Sequence, residues 1–198
     1  MNIGDSVLWF LQKENIKKVY AYEPFGSTYV KAEKNICRNE VDKQRYELFQ
    51  AGLSNVSEKR IVRFNDDMSC GQSTDSDIRM RNYQNYVRWG LIREENETEE
   101  EIEVRKASEE ISWIIEKHRD CNIILKIDCE GEEYVVFDDL FDAGILEKVD
   151  FIMLEWHYRG ADSLIDKMVK AGFSYWNFSK DESMGCIYSF RRHNVHET

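Results

Sequence analysis

Ile123 to Tyr134 reads IILKIDCEGEEY, and the reading of that stretch decides the fold. An apolar run, Ile123, Ile124, Leu125 and Ile127, breaks off into Asp128, Glu130, Glu132 and Glu133, with Gly131 among the acids. A short β-branched run of this kind predicts a strand buried on both faces of a parallel sheet. Carboxylates at the carboxyl end of such a strand stand where open α/β sheets place their ligands. Acidic turns are also common on protein surfaces, so residue types alone leave a ligand site and a solvated turn equally open.

Composition narrows the rest. The chain has 198 residues, 42% hydrophobic and 13% aromatic, which suits one globular domain with a real core. A net charge of −11 argues against a binder of nucleic-acid phosphates, which needs a basic stripe. Small molecules and neutral glycans are more natural partners. No apolar stretch approaches the roughly 20 residues of a membrane span, and no basic-then-apolar leader opens the sequence. The cysteines at 37, 70, 121, 129 and 186 form no CxxC or Cys/His cluster. Reduced thiols in a cytoplasmic protein and no metal are therefore expected. Cys129 lies inside the acidic motif, where its neighbours suppress the thiolate, so a packing role is expected for it.

The remainder alternates helix and strand. Asp5 or Ser6 is placed to cap a helix whose apolar face is Val7, Leu8, Phe10 and Leu11. A strand at Val19–Tyr22 ends at Glu23, stopped by Pro24. Ser27 is placed to cap a second helix, running to about Asn39. Strands are predicted at Tyr46–Ala51 and Ile61–Phe64. From 65 to 101 the periodicity dissolves, and an irregular insertion or lid is expected. That segment holds Tyr83, Tyr86 and Trp89, read as a small helix packing over the site in preference to a substrate platform, and the acid run ENETEEE, read as solvated. A strand at Ile102–Lys106 and a helix from Ser108 to about Lys117 lead to the acidic motif. A helix with Tyr134, Val135, Phe137, Leu140 and Phe141 follows, then an apolar strand, Phe151–Glu155, running on into Trp156 and His157. After an amphipathic helix over Ala161–Ala171, Phe173–Phe178 and Cys186–Phe190 predict an antiparallel hairpin. His118, His193 and His196 look solvated.

Glu23, Asp128 and Glu155 all end strands, and in a parallel sheet with right-handed crossovers such ends share one edge. An acid ending the second strand suits a nucleoside ribose, whose hydroxyls it accepts in charge-assisted bonds. Gly4 before a helix suits close approach of a cofactor. Those features fit a dinucleotide or S-adenosylmethionine. The missing G-x-G-x-x-G and the closing hairpin disfavour a nicotinamide-dependent oxidoreductase.

NIGDSVLWF (2–10), VYAYEPFGSTYVKAEKNICRN (19–39), ILKIDCEGEEYVVFDDL (124–140) and FIMLEWH (151–157) closely resemble the FkbM family of S-adenosylmethionine-dependent methyltransferases. The K-I-D-x-E-G-x-E block is the specific part. The resemblance implies a three-layer, Rossmann-like class I methyltransferase fold, its sheet mostly parallel with a C-terminal antiparallel hairpin. It implies S-adenosylmethionine as cofactor and methyl transfer to a hydroxyl, on a sugar or other small molecule. Ile3, Gly4, Asp5 and Ser6, with Asn2, match the end of the family's glycine-rich first motif. Glu23 matches the ribose-binding acid, Phe25 follows it near the adenine, and Ser54 is a weaker adenine-side candidate. Asp128, Glu130 and His157 match positions around the methyl-transfer centre. His157 is first choice as general base. Asp128 is second choice, or orients acceptor or cofactor, and Glu130 holds the loop or a sugar hydroxyl.

The family's pattern opens with a strand and an Asp-x-Gly that precede the first residues here. A sheet lacking its first, central strand is therefore expected, with unpaired neighbours. That leaves a second reading, a catalytically impaired binding domain of the same fold, and makes a homodimer plausible.

Overall fold

The computed structural model describes residues 1–65, 72–92, 97–179 and 181–191. Cys70, His193, His196 and the start of the acid run lie outside the described residues. The chain gathers into two compact units, one of residues 1–72 and 79–105, the other of 73–78 and 106–198.

In the first unit, α1 (Asp5–Leu11) leads into β1 (Val19–Tyr22), and α2 (Gly26–Arg38) leads into β2 (Tyr46–Phe49). The strands pair in parallel, Val19 opposite Tyr46 and Tyr22 opposite Phe49. Val7, Leu11, Ala21 and Ile36 form the core here, with Val19 and Leu48 packed against it. These side chains recur at helical spacing on α1 and α2, and burying that stripe holds the helices in place. The expected caps are not used. Gly4 and Phe25 stand at the two N-cap positions, and neither helix has a side-chain cap. Gly4 has φ 96°, a left-handed turn into α1. A Cβ on it would stand 3.3 Å from Ile36 Cγ1 and 3.4 Å from the Ala32 backbone. The glycine is thus required by the turn and by the closeness of α2.

A second sheet in this unit runs in the order β3 (Gly52–Ser54), β5 (Glu97–Lys106), β4 (Glu58–Asn65). It overturns the expectation of an irregular 65–101 segment, as does α3 (Ser76–Arg88). Glu99 and Glu101 of the acid run are exposed as expected, yet they belong to β5 and pair antiparallel with β4, with Arg63 opposite Glu99 and, just beyond the run, Lys59 opposite Glu103. Lys59 Nζ also reaches the diagonal Glu101 at 2.6 Å. A strand this acidic is tolerated because its partner is basic. Its alternate residues Ile102 and Val104 turn inward onto Phe25 and Val62.

In the second unit one four-stranded sheet runs β6 (Ile124–Ile127), β7 (Phe151–His157), β9 (Met184–Arg191), β8 (Phe173–Ser179). Helices α4 (Ala107–Lys117), α5 (Glu133–Asp142) and α6 (Asp162–Lys170) complete it. Phe137 and Leu140 of α5, Ile152 and Leu154 of β7, Leu164 and Met168 of α6 and Ile187 of β9 are fully buried. The hairpin forms as expected, Phe178 opposite Cys186.

Two expectations need correction. The sheets are mixed rather than mostly parallel: β1–β2 and β6–β7 are parallel, whereas β4–β5, β7–β9 and β8–β9 are antiparallel. And β6 is not buried on both faces. It ends its sheet, paired only with β7 among the described residues, and Ile124 is 40% exposed. No helix among the described residues is long and apolar enough to cross a membrane.

Arg191 ties β9 to the loops around it. Its Nε donates to Val149 O at 3.0 Å, Nη1 to Ala171 O at 2.8 Å, and Nη2 to Leu146 O. Arg191→Met keeps the stem but strips three carbonyls of a charged donor. We expect a loss of about 2 kcal/mol in urea unfolding. A change below about 0.5 kcal/mol would show these bonds to be replaceable by water.

Candidate functional site

The acidic loop after β6 is built by one buried carboxylate. Glu133, at the first turn of α5, is fully buried. Its Oε2 accepts the Gly131 backbone N–H at 2.6 Å. Its Oε1 accepts the His157 backbone N–H at 2.7 Å and lies 3.2 Å from His157 Nδ1. One side chain thereby fixes both the loop and the end of β7. Tyr134 adds a second tie, its hydroxyl 3.2 Å from His157 O and 2.9 Å from Gly160 O.

The loop itself takes left-handed geometry, with φ 49° at Glu130 and 112° at Gly131. The segment before α3 braces it: Ser73 Oγ donates to the Glu130 carbonyl, and Asp75 Oδ1 accepts the Asp77 and Ile78 amides at the helix start. A Cβ on Gly131 would stand 2.2 Å from Ile78 Cδ1.

His157 is 5% exposed. Its Nε2 stands 3.5 Å from Glu130 Oε2 and 3.6 Å from Glu155 Oε1. Burial alone lowers an imidazole pKa. Here the hydrogen bonds to Glu133 and Glu155 and the charges of Glu130 and Glu133 override it, raising the value to about 10. At neutral pH the ring is therefore an imidazolium. In that state the ring donates rather than accepts, which weighs against His157 as the general base and toward the carboxylates beside it. Asp128 is exposed and is bridged to Lys126 at 2.9 Å. The Cys129 thiol is pushed up to about 12 by burial and the Glu133 charge, so it is no nucleophile.

The structure thus brings Asp128, Glu130 and His157 together, with ligand atoms all within 4.8 Å of one another. The sequence reading passed over Glu133 as a site residue. The signal was present, since it is the last acid of K-I-D-x-E-G-x-E. It was hidden because nothing in a run of acids says which one is buried.

The other predicted residues lie in the first unit. Glu23, at the end of β1, is 6% exposed. Oε2 accepts the Asn2 N–H at 2.8 Å and Oε1 the Phe25 N–H at 3.2 Å. Burial raises its pKa, opposed by the N-terminal ammonium and those amides. The Ile3 carbonyl accepts from Asn35 Nδ2 at 3.0 Å, Asp5 is exposed and Ser6 half-buried. Phe25 does not offer an adenine platform: its ring is in the core with Val62, Ile102 and Val104. Ser54 is fully buried, its Oγ accepting from Arg60 Nη2 at 2.9 Å.

A family profile described as the methyltransferase FkbM domain matches residues 1–175. Among solved structures, the crystal structure of methyltransferase FkbM from Methylobacillus flagellatus superposes with a TM-score of 0.53 at 17% identity. It covers 96% of this chain, and this chain spans 41% of that one. No curated protein matches the sequence significantly.

Proposed function

The chain belongs to the FkbM methyltransferase family, and from that premise we propose an S-adenosylmethionine-dependent methyltransferase acting on a hydroxyl of a sugar or other small molecule. The observation that carries the cofactor is Glu23. Its carboxylate is aligned at the carboxyl end of β1 by the Asn2 and Phe25 amides. A carboxylate has about four lone-pair positions, so two remain after those amides, enough for a pair of ribose hydroxyls. Gly4, Asp5 and Ser6 at the start of α1 complete the cofactor-binding set we propose. S-adenosylmethionine, when bound, supplies an electrophilic sulfonium methyl.

The chain's own residues then have two tasks. The Glu133 clamp keeps the 128–131 loop in one geometry, so orientation is set before reaction. Asp128, and beside it Glu130, orient the acceptor hydroxyl. One of these carboxylates would take the proton that the acceptor hydroxyl loses on methylation. His157 acts by holding Glu130 and Glu155 in place. The net charge of −11 supports a neutral or cationic acceptor over a polyanion.

Calorimetry with S-adenosylhomocysteine tests the reading. Saturable binding is expected, weakened about tenfold to a hundredfold by Glu23→Ala, the loss of charge-assisted bonds worth roughly 1.5–3 kcal/mol. No heat at millimolar ligand would overturn the proposal in favour of a binding domain without methyl transfer.

A further inference from the structure

The sequence holds no Cys/His metal motif, yet the fold assembles a mixed donor set out of two separate segments, with His157 lying 27 positions after Glu130. Asp128 and Glu130 come from the loop after β6, and His157 from the end of β7. One ligand atom from each lies within 4.8 Å of the others. Glu155 adds a further oxygen, 3.6 Å from His157 Nε2.

Two features separate this from an ordinary acidic patch. The first is the imidazole, nineteen-twentieths buried and aimed into the cluster. Its Nε2 is ion-paired with Glu130 Oε2 at 3.5 Å and Glu155 Oε1 at 3.6 Å, so the ring faces the same carboxylates that would share an ion with it. A divalent cation would take the place of the Nε2 proton among them. The second lies outside the donor set. Glu133 Oε1 holds Nδ1 at 3.2 Å and the His157 amide at 2.7 Å, so the ring is pinned with Nε2 presented. A carboxylate on the far nitrogen is the arrangement that orients and strengthens a metal-bound histidine.

We propose that Asp128, Glu130 and His157 Nε2 bind one divalent cation, with Glu155 within reach as a fourth protein ligand. One imidazole with carboxylate oxygens suits Mn²⁺ better than Ca²⁺, which takes oxygen ligands alone. Binding releases the Nε2 proton and breaks the Lys126–Asp128 bridge. An ion here would sit beside the carboxylates assigned to the acceptor hydroxyl, and its binding does not depend on that assignment.

The test is electron paramagnetic resonance of the full chain titrated with MnCl₂, reading the loss of the free hexaaqua signal. One site of micromolar affinity is expected. Asp128→Asn and Glu130→Gln, both on side chains at least partly exposed, should each weaken it tenfold or more without unfolding the protein. Glu116→Gln, an exposed acid on α4, should leave it unchanged. Three results would overturn the proposal: no bound Mn²⁺ at 1 mM total metal, affinity within twofold of the parent in both loop variants, or an equal loss in Glu116→Gln, which marks diffuse attraction to the net negative charge. Because the readout is the ion alone, failure of S-adenosylhomocysteine binding would leave this result standing, and the reverse holds too.

Discussion

Glu133→Ala is expected to cost the fold about 3–5 kcal/mol, the range for removing one partner of a buried charged pair. The side chain is fully buried and accepts from two backbone amides, those of Gly131 and His157. It is also the nearest counter-charge to the imidazolium, 3.2 Å from Nδ1. Alanine leaves all three groups without their acceptor in a space too tight for bulk water. Glu133→Gln is the finer probe. Its oxygen can still serve His157, but its amide then faces the Gly131 N–H, donor against donor, so roughly 1–3 kcal/mol should be lost. Urea unfolding followed by circular dichroism reads both. An alanine cost below about 1 kcal/mol would mean that Glu133 is not the anchor of the loop.

Gly131→Ala is the second large effect. With φ 112° the position lies outside the conformations an L side chain adopts readily, a strain of roughly 1–3 kcal/mol. The new Cβ would also stand 2.2 Å from Ile78 Cδ1. Overpacking adds about 1–3 kcal/mol, the lower figure if the Ile78 side chain can rotate away. The two parts separate in a double-mutant cycle. Ile78→Ala should recover the overpacking part and leave the backbone strain, giving a coupling of about 1 kcal/mol or more. If the effects simply add, the first turn of α3 does not press on the loop at Gly131.

Several elements were legible without coordinates because their signals are local. The run from Ile124 to Ile127, the strand at Phe151, the amphipathic stripes of α1, α2 and α6 and the closing hairpin all follow from spacing along the chain. The motif carried the family in the same way. Where the reading failed, the deciding partner was distant. Glu99 and Glu101 are exposed as expected, but they looked irregular because the basic strand that pairs with them, Glu58–Asn65, lies some 40 residues earlier. Phe25 looked like a cofactor neighbour because it follows Glu23. Its ring is claimed by Val62, Ile102 and Val104, none of them near it in sequence. Asp5, Ser6 and Ser27 are good caps by type, but a left-handed Gly4 already turns the chain into α1.

The same division runs through IILKIDCEGEEY. By itself the sequence determined that a strand ends there in acids and that the chain is a member of this family, because both depend only on residue order. Tertiary structure alone decided which acid is which. Glu133 goes inside and meets His157, 24 positions away, while Asp128 stays at the surface with Lys126. It also decided the protonation of His157, which depends on how many carboxylates surround a buried ring. Burial and charge at a point are sums over everything near it in space, and neighbours in space are what a linear sequence does not state.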